Sequence, residues 1–530
     1  MLKKQKYLLL SVSSGLLAGL SWLQAGLSPL ILISFVPVLL IMEGLIKSSD
    51  KKAKLKFYLY GFLSFLIWNI ISVYWIINST IAGGIAAIFI SALIMSFALP
   101  IIFLSRQKFG KVIGGLVSIS IWISIEYFLS HSQLSWPWMI LGNAFADNIK
   151  LVQWYDTTGV FGGSLWILLV NYLIFNAIIS SNSSSKIKNY LTTSLMILIP
   201  LIISFYKFYT YEEPNDPVKI TIIQPNIDPY NEKFKTSISE QIQNLNKLLE
   251  IIELNNPDYI LLPETFIHSG LQINKLDDDV FIRYLRNIFS RYPSSEIVVG
   301  AVLLEIFSDA SEAGCSSFQI QGSNKFYNLY NSALMFGHNS EIRVYHKIKL
   351  VPGAETVPYH KTLKFLNKLI LNLGGISGTH STDSLQRVFK HSEKNIFTST
   401  AICYESVFGE FISNFVKNGA EILFIITNDG WWSDTHGYKQ HKNFAKLRAI
   451  ENRRSIARCA NTGISCLINQ KGQIIQETNW WKTEILNGQI NTNQAITFYT
   501  KHGDYIAKFS VYTFFIFLIV SIIFKVKKGI

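Results

Sequence analysis

The sequence predicts an α/β chain in two parts, an eight-helix transmembrane domain and a layered α/β domain held outside the bilayer. Three observations carry this expectation. Apolar residues crowd into 7–209 and 509–524, the long stretch between them has ordinary soluble composition, and the positive charge lies almost wholly in the apolar parts. With 530 residues, 49% of them apolar, and a mean hydropathy of +0.27, the chain exceeds one ordinary core, so at least two domains are expected.

Eight stretches approach the ~20 apolar residues that cross ~30 Å of hydrocarbon as a helix. They lie near 7–24, 29–46, 57–78, 83–104, 112–130, 163–180, 190–209 and 508–525. The first follows MLKKQK and shows no small-residue cleavage site before the second, so it reads as a retained helix and not as a removed signal. Within the spans, Glu43, Asn69 and Glu126 are polar. Intramembrane carboxylates are usually paired or functional, although Glu43 and Glu126 sit near span ends, where a side chain can also snorkel to the interface.

The net charge of +13 divides unevenly. Residues 1–209 hold 15 Lys/Arg against 5 Asp/Glu, residues 210–507 hold 29 against 30, and residues 508–530 hold 4 Lys and no acid. A near-neutral soluble domain offers no basic stripe to phosphates, which argues against nucleic acid as a partner. Lys and Arg in short loops mark the cytoplasmic side. MLKKQK, the loop at 47–56, RQKFGK at 106–111, the Lys186/Lys188 loop and the terminal KVKK are basic, whereas 25–28, 79–82 and 131–162 contain only Lys150. The alternation expects both termini in the cytoplasm, a seven-span domain over 1–209, an extracytoplasmic domain over 210–507, and a last span with a basic tail over 508–530.

In that soluble part, VKITIIQP, DYILLPE, EIVVGAVLL, NSALMF, FTSTAICYE and AEILFIITND are β-branched runs bounded by turn residues and read as strands. Helical periodicity fits 236–254, 277–290, 406–417 and 438–456; the first places Ile238, Ile242, Leu245, Leu248, Leu249 and Ile252 on one stripe. Alternating strands and helices build layered sheets, whose ligands collect outside the strand ends. The predicted strands end at Gln224, Glu264, Cys403 and Asn428.

Three of the polar residues make a chemical set. A thiolate at Cys403 is a competent nucleophile, Glu264 can take its proton, and a Lys347 ammonium can stabilise an oxyanion, a contribution of about 3 kcal/mol. A helix after Cys403 would point its positive end at the sulfur. Such a set supports acyl transfer through a thioester. Cys459 and Cys466 read as small core residues, and Cys315 sits in a polar loop. The ten His show no zinc-protease spacing, since HGYKQH at 436–441 has a five-residue step and no carboxylate between, so neither a metal nor a cofactor is expected.

In order, Glu264 in LLPET, Lys347 in YHKIKLVPGAE and Cys403 in ICYE resemble the Glu-Lys-Cys triad of the nitrilase (carbon–nitrogen hydrolase) superfamily. With spans before and after such a domain, the chain is similar to the bacterial apolipoprotein N-acyltransferases over essentially its whole length, including QPNI at 224–227, YNSALMF at 330–336 and NDGWWSD, QH, RAIENRR and ANTG between 428 and 463. The resemblance implies a nitrilase-like α-β-β-α sandwich with Glu264 as general base, Lys347 as oxyanion stabiliser and Cys403 as nucleophile. It also implies supporting or substrate-contacting roles for Glu355, Tyr404, Glu405 and Phe234. Lys349 competes with Lys347, but only Lys347 holds the Tyr-x-Lys position. The chain departs from the family at Gly353-Ala354, where Phe-Gly is common, and at Phe234, where Trp is common. The implied reaction is ping-pong: a membrane phospholipid acyl donor acylates Cys403, and the chain then passes to the α-amino group of a diacylglyceryl apolipoprotein acceptor. A membrane-tethered amidase is the alternative enzyme, and a catalytically dead lipid-binding scaffold the alternative outside enzymes. The segment 361–375, with Leu363, Phe365, Leu366, Leu369, Ile370 and Leu371 between three Lys, reads either as an interfacial lid or as a core helix with a basic face.

Overall fold

Long apolar runs form helices and β-branched runs form strands in two separate units, Met1–Tyr211 with His502–Ile530, and Glu212–Lys501. The structure, a computed structural model, describes residues 2–233, 235, 237–251, 256–308, 317–356, 358–359 and 380–527. Phe234, Cys315 and the segment 361–375 lie outside the described residues.

The first unit is helical: α1 (Leu2–Leu20), α2 (Ile31–Ser34), α3 (Val36–Ile46), α4 (Ala53–Val73), α5 (Ile81–Ser96), α6 (Ala98–His131), α7 (Tyr155–Ile179) and α8 (Ser183–Thr210), with a C-terminal helix over Tyr505–Lys527. Among the described residues, five stretches are long and apolar enough to cross a membrane: Ser28–Ile46, Ala53–Asn78, Ile81–His131, Tyr155–Ile179 and Ser183–Thr210. Tyr505–Val520 is a shorter apolar helix, and α1 opens on Lys3, Lys4 and Lys6. The 51-residue stretch Ile81–His131 is far longer than one crossing needs. It turns at Gly110, with φ 72° and ψ −161°, a conformation that glycine adopts without steric cost, and RQKFGK lies at that turn. Outward-facing aliphatics such as Leu9, Ile81, Val112 and Ile202 are exposed, as in a membrane protein.

Inside the unit, small residues let helices approach: a Cβ on Gly15 of α1 would lie 2.6 Å from the Ser64 carbonyl of α4. Glu43 pairs with Arg106 at 2.7 Å, both buried. Glu126, also buried, accepts hydrogen bonds from Trp122 Nε1 at 2.9 Å and from the Leu141 amide at 3.0 Å. Glu43 is thus ion-paired and Glu126 held by neutral donors, both inside the domain, so neither carboxylate snorkels to the interface.

The second unit contains two open sheets. β1 (Pro217–Gln224), β2 (Tyr259–Leu261), β3 (Ile267–Gln272), β4 (Glu296–Phe307), β5 (Phe318–Gln319), β6 (Phe326–Phe336) and β7 (Arg343–His346) belong to the first. β8 (Phe389–Lys390), β9 (Phe397–Ile402), β10 (Ile422–Thr427), β11 (Ser455–Ala460), β12 (Cys466–Ile468) and β13 (Ile474–Glu477) form the second, and β14 (Glu484–Asn491) returns to the first. The strand orders are β14-β1-β2-β4-β6-β5, with β3 on β4 and β7 on β6, and β13-β12-β11-β10-β9-β8. In each sheet the central strands run parallel, β1-β2-β4 and β9-β10-β11. Their carboxyl ends therefore gather the polar residues that follow them.

Helix α9 (Ile238–Ile251) and helix α10 (Val280–Ile288) cover the first sheet. Leu245 and Leu249 of the predicted stripe, with Phe281, Ile282 and Leu285, are buried in one cluster with Ile223, Ile260, Val299 and Leu334. Helix α11 (Gly409–Lys417) and helix α12 (His436–Asn452) bury Phe415, Val416, Leu447 and Ile450 beside the second sheet. Between the sheets, Tyr259 and Phe424 meet edge to face at 5.0 Å, and Cys459 Sγ lies 3.5 Å from the carbonyls of Ile223 and Leu261. The result is an α-β-β-α sandwich. Two helix expectations change at their ends. The run at 406–417 begins as a 3₁₀ turn, Cys403–Val407, and breaks at Phe408 before α11. The run at 438–456 stops at Asn452, because Arg453 takes a left-handed φ of 48° and β11 follows.

Candidate active site

Strand ends supply Glu264, Lys347 and Cys403; Asn331 comes from within β6 and Glu355 from the segment after β7. Glu264 stands just beyond β2, where Leu262 N bonds Val298 O at 2.8 Å and Gly300 N bonds Pro263 O at 3.2 Å. Thr265 then turns the chain with φ 47°. The turn lies so close to β4 that a Cβ on Gly300 would meet Pro263 O and Thr265 N at 2.5 Å. Lys347 follows β7, and its amide bonds Asn331 O of β6 at 2.8 Å. From there its ammonium donates to Glu264 Oε1 at 3.0 Å and to Glu355 Oε1 at 2.9 Å. The Asn331 amide donates to the same two oxygens, at 2.8 and 2.9 Å. Glu355 Oε2 accepts from Val351 N at 2.8 Å. Two carboxylates thus share one ammonium and one neutral amide, all buried or nearly so.

Burial alone would lower the Lys347 pKa, but Glu264 and Glu355 outweigh it and hold the ammonium firmly protonated. For Glu355 burial pushes up, while Lys347 and His380 pull harder and leave its carboxyl below the usual range. Lys349, the other candidate lysine, instead places its ammonium over the rings of Phe408 and Phe411, at 5.3 and 5.9 Å.

Cys403 comes from the other sheet, directly after β9, and its φ of 51° is left-handed, a strained conformation typical of functional turns. It keeps partial exposure, whereas Cys459 and Cys466 are fully buried core residues, as their strand-like runs imply. Burial and then the Glu264 carboxylate push its thiol well above the ordinary range; Lys347 and the Thr427 hydroxyl pull it back in part. The resting sulfur is therefore a thiol, and its activation needs a base. Its carbonyl accepts from Ser406 Oγ at 2.7 Å and faces His441 Nε2 at 3.1 Å. His441 Nδ1 faces Asp429 Oδ1 at 2.9 Å, and Arg458 Nη2 donates to Asp429 Oδ2 at 2.5 Å. The β9–β10 register, Ile402 beside Ile426, sets Thr427 next to Cys403, and Thr427 Oγ1 donates to Asp429 Oδ1 at 2.9 Å.

Glu405 joins the two sheets. Its Oε1 accepts from Tyr345 OH at 2.7 Å and from the amides of Ile348 and Lys349 at 2.7 and 3.2 Å; its Oε2 accepts from Ile402 N at 2.8 Å. One carboxyl therefore fixes the segment after Lys347 to the strand end before Cys403. Burial lifts it to about 7 against these donors. Tyr404 is buried, its ring packed edge-on against Phe408 at 5.3 Å.

The structure brings Glu264, Lys347, Glu355, Cys403 and Glu405 to one place. Gln224 and Asn428 end strands nearby, but Gln224 spends its amide on the carbonyls of Asn479 and Lys482, and Asn428 Oδ1 accepts from Asn461. Sequence reasoning missed Asn331, Lys233 and the His441–Asp429–Arg458 set. Asn331 was visible as a polar residue interrupting an apolar strand; the others carry no periodic signal.

Residues 219–498 match the carbon–nitrogen hydrolase family model, and residues 14–173 match the apolipoprotein N-acyltransferase N-terminal domain. The chain is 28% identical over 507 residues to the apolipoprotein N-acyltransferase of Chlorobaculum tepidum, covering 93% of this chain and 92% of that one. It is 27% identical over 510 residues to that of Geobacter metallireducens, covering 94% and 92%. Among solved structures it resembles Saccharomyces cerevisiae Nit3, of the nitrilase superfamily, at 14% identity and a TM-score of 0.35, covering 52% of this chain and 90% of that one.

Proposed function

This chain belongs to the carbon–nitrogen hydrolase family, and from that premise we propose that it transfers a fatty acyl chain from a membrane phospholipid, through a thioester on Cys403, to the N-terminal α-amino group of a diacylglyceryl-cysteine apolipoprotein. The observation that carries this reading is the buried Glu264–Lys347–Glu355 cluster, with contacts of 3.0 and 2.9 Å, acting on a strained and partly exposed Cys403 in a chain with membrane-length helices. Glu264 takes the thiol proton, and the thiolate attacks the ester carbonyl. The oxyanion forms beside the Lys347 ammonium, whose placement Glu355 and Asn331 fix in advance, so no reorganisation is needed at the moment of reaction. Collapse expels the lysophospholipid alkoxide, which takes the former thiol proton from Glu264. In the second half the acceptor amine attacks the thioester and gives its proton to Glu264, and the leaving thiolate takes that proton up.

The lysine-rich loops support a reading in which the chain crosses a bacterial inner membrane with both termini cytoplasmic and residues 210–507 periplasmic, the side on which this reaction would meet both lipid-anchored substrates. The same thioester yields a hydrolase if water replaces the amine, so the acceptor decides. Mass spectrometry of a lipoprotein N-terminus from depleted cells tests the reading. Diacyl forms should accumulate and be rescued by the natural chain but not by Cys403→Ala; fully N-acylated lipoprotein in the depleted cells would refute it.

A further inference from the structure

Lys233 ends the turn that follows β1, in the segment DPYNEKF, and is 4% exposed. Its amide bonds Asp228 O at 2.9 Å, closing the turn, and its ammonium donates to the Glu264 carbonyl at 3.1 Å and to Thr265 Oγ1 at 2.5 Å. Burying an ammonium is costly, and a chain that needed only to brace the Glu264 turn could do so with a neutral amide. Counting charges shows what the lysine adds. Glu264 and Glu355 bring two negative charges and Lys347 brings one positive; moving the Cys403 proton to Glu264 shifts one negative charge to the sulfur, so the site holds two negative charges against one positive throughout unless Lys233 contributes a second.

We infer that Lys233 is a second cation of the site: it positions Glu264 through the carbonyl and hydroxyl of its turn, and its charge stabilises the Cys403 thiolate and the oxyanion that succeeds it. This rests on the acyl-transfer reading for its biological use, but not for its test. The charged and titratable groups facing Lys233 from packed elements are Glu264 after β2, Lys347 after β7 and Cys403 after β9, with Asp228 and Glu232 on its own turn. Burial lowers Lys233 to about 8, with Lys347 acting in the same direction and Glu264 and Cys403 against it. Its charge is thus held at neutral pH and lost as pH rises through about 8.

The test is the rate at which iodoacetamide alkylates Cys403 in the detergent-solubilised full chain, read by mass spectrometry of the Cys403 peptide. Lys233→Met should slow alkylation at neutral pH about tenfold, the equivalent of one pKa unit at the sulfur. Lys233→Arg keeps a charge that does not titrate in this range. Its rate relative to the natural chain should be constant below pH about 8 and climb above it, as the natural chain alone loses the cation. A folded Lys233→Met chain alkylated at the natural rate would overturn the inference; if that variant does not fold, an Arg-to-natural rate ratio that stays flat with pH overturns it instead. Alkylation requires neither phospholipid nor acceptor. A chain with the expected alkylation profile that forms no thioester would sink the acyl-transfer reading and leave Lys233 as assigned.

Discussion

Asn331 is where the two carboxylates of the site converge, and Asn331→Asp tests whether their balance governs the chemistry. The substitution keeps the shape and replaces an amide that donates at 2.8 and 2.9 Å with an acceptor at the same distances. Between unit charges that close, at an effective dielectric of about 20, the repulsion is about 6 kcal/mol per pair. Three carboxylates cannot all ionise against that cost, so the cluster takes up a proton, shared among them as in other carboxylate groups. Glu264 is then partly protonated at neutral pH and cannot receive the thiol proton. Thioester formation should fall about 100-fold at pH about 7 and recover toward pH about 9, an acid limb displaced upward. Asn331→Leu removes two charge-assisted bonds, each about 1.5–3 kcal/mol, without adding charge. It should slow the same step by a comparable factor at every pH. Single-turnover acylation of Cys403 from a phospholipid with a labelled acyl chain measures both. A profile for Asn331→Asp that superposes on the natural one, or that runs parallel to Asn331→Leu, would refute the reasoning.

Other consequences are direct. Because burial lifts Glu405 to about 7 from an ordinary 4.5, the folded state holds that proton longer than the unfolded chain. Its contribution is present in full below about 4.5 and lost as pH rises through about 7, roughly 3 kcal/mol in all; the difference between the pH–stability curves of the natural chain and Glu405→Gln should show that decline, and a flat difference would contradict it. Gly300→Ala puts a Cβ 2.5 Å from Pro263 O and Thr265 N, backbone that cannot swing aside, so it should cost about 1–3 kcal/mol of stability and displace Glu264. The acylation rate should then drop while KM for phospholipid stays unchanged, and unaltered steady-state kinetics would count against it. Glu43→Gln leaves the buried Arg106 uncompensated and should destabilise by about 3–5 kcal/mol. Adding Arg106→Gln should restore most of that loss in thermal unfolding of the solubilised chain; a double variant no better than the single one would show that the pair is not the cause.

Much of this was legible in residue order, for a physical reason: strands that are buried on both sides read as continuous apolar runs, so a polar residue at a run's end stands out. That is how Glu264 and Cys403 came forward, and why Cys459 and Cys466, inside their runs, read as core. Membrane-length apolar helices were legible for the same reason of scale, although the eight expected spans meet five long apolar stretches among the described residues, and the turn at Gly110 leaves Ile81–His131 as one of them. Residues whose role depends on a partner far along the chain were not legible. Asn331 meets Glu264 across 67 positions, Glu405 meets Tyr345 across 60, and Lys233 meets the Glu264 carbonyl across 31. No local pattern encodes such meetings; they exist only once the sheets stack. Gln224 shows the converse, since it ends a strand as Glu264 does but spends its amide on carbonyls of the segment 479–482, a difference that position in the sequence does not reveal.

That dependence on stacking also explains why the site lies where it does. Glu264, Asn331 and Lys347 come from one sheet, while Cys403, Thr427 and Asp429 come from the other. Face-packed sheets sit about 10 Å apart and fill that gap with interlocked side chains such as Tyr259 against Phe424, which leaves no room for a substrate, so the reacting groups converge beyond the strand ends, where the chain leaves the sheets and can turn inward. Positive φ at Thr265 and Cys403 is what those inward turns require, one on each sheet. Each strained turn is held by a buried partner that does not itself react: Lys233 on the Thr265 hydroxyl, and His441 with Ser406 on the Cys403 carbonyl. Glu405 then removes the remaining freedom, the slip of one sheet over the other, by binding amides of both.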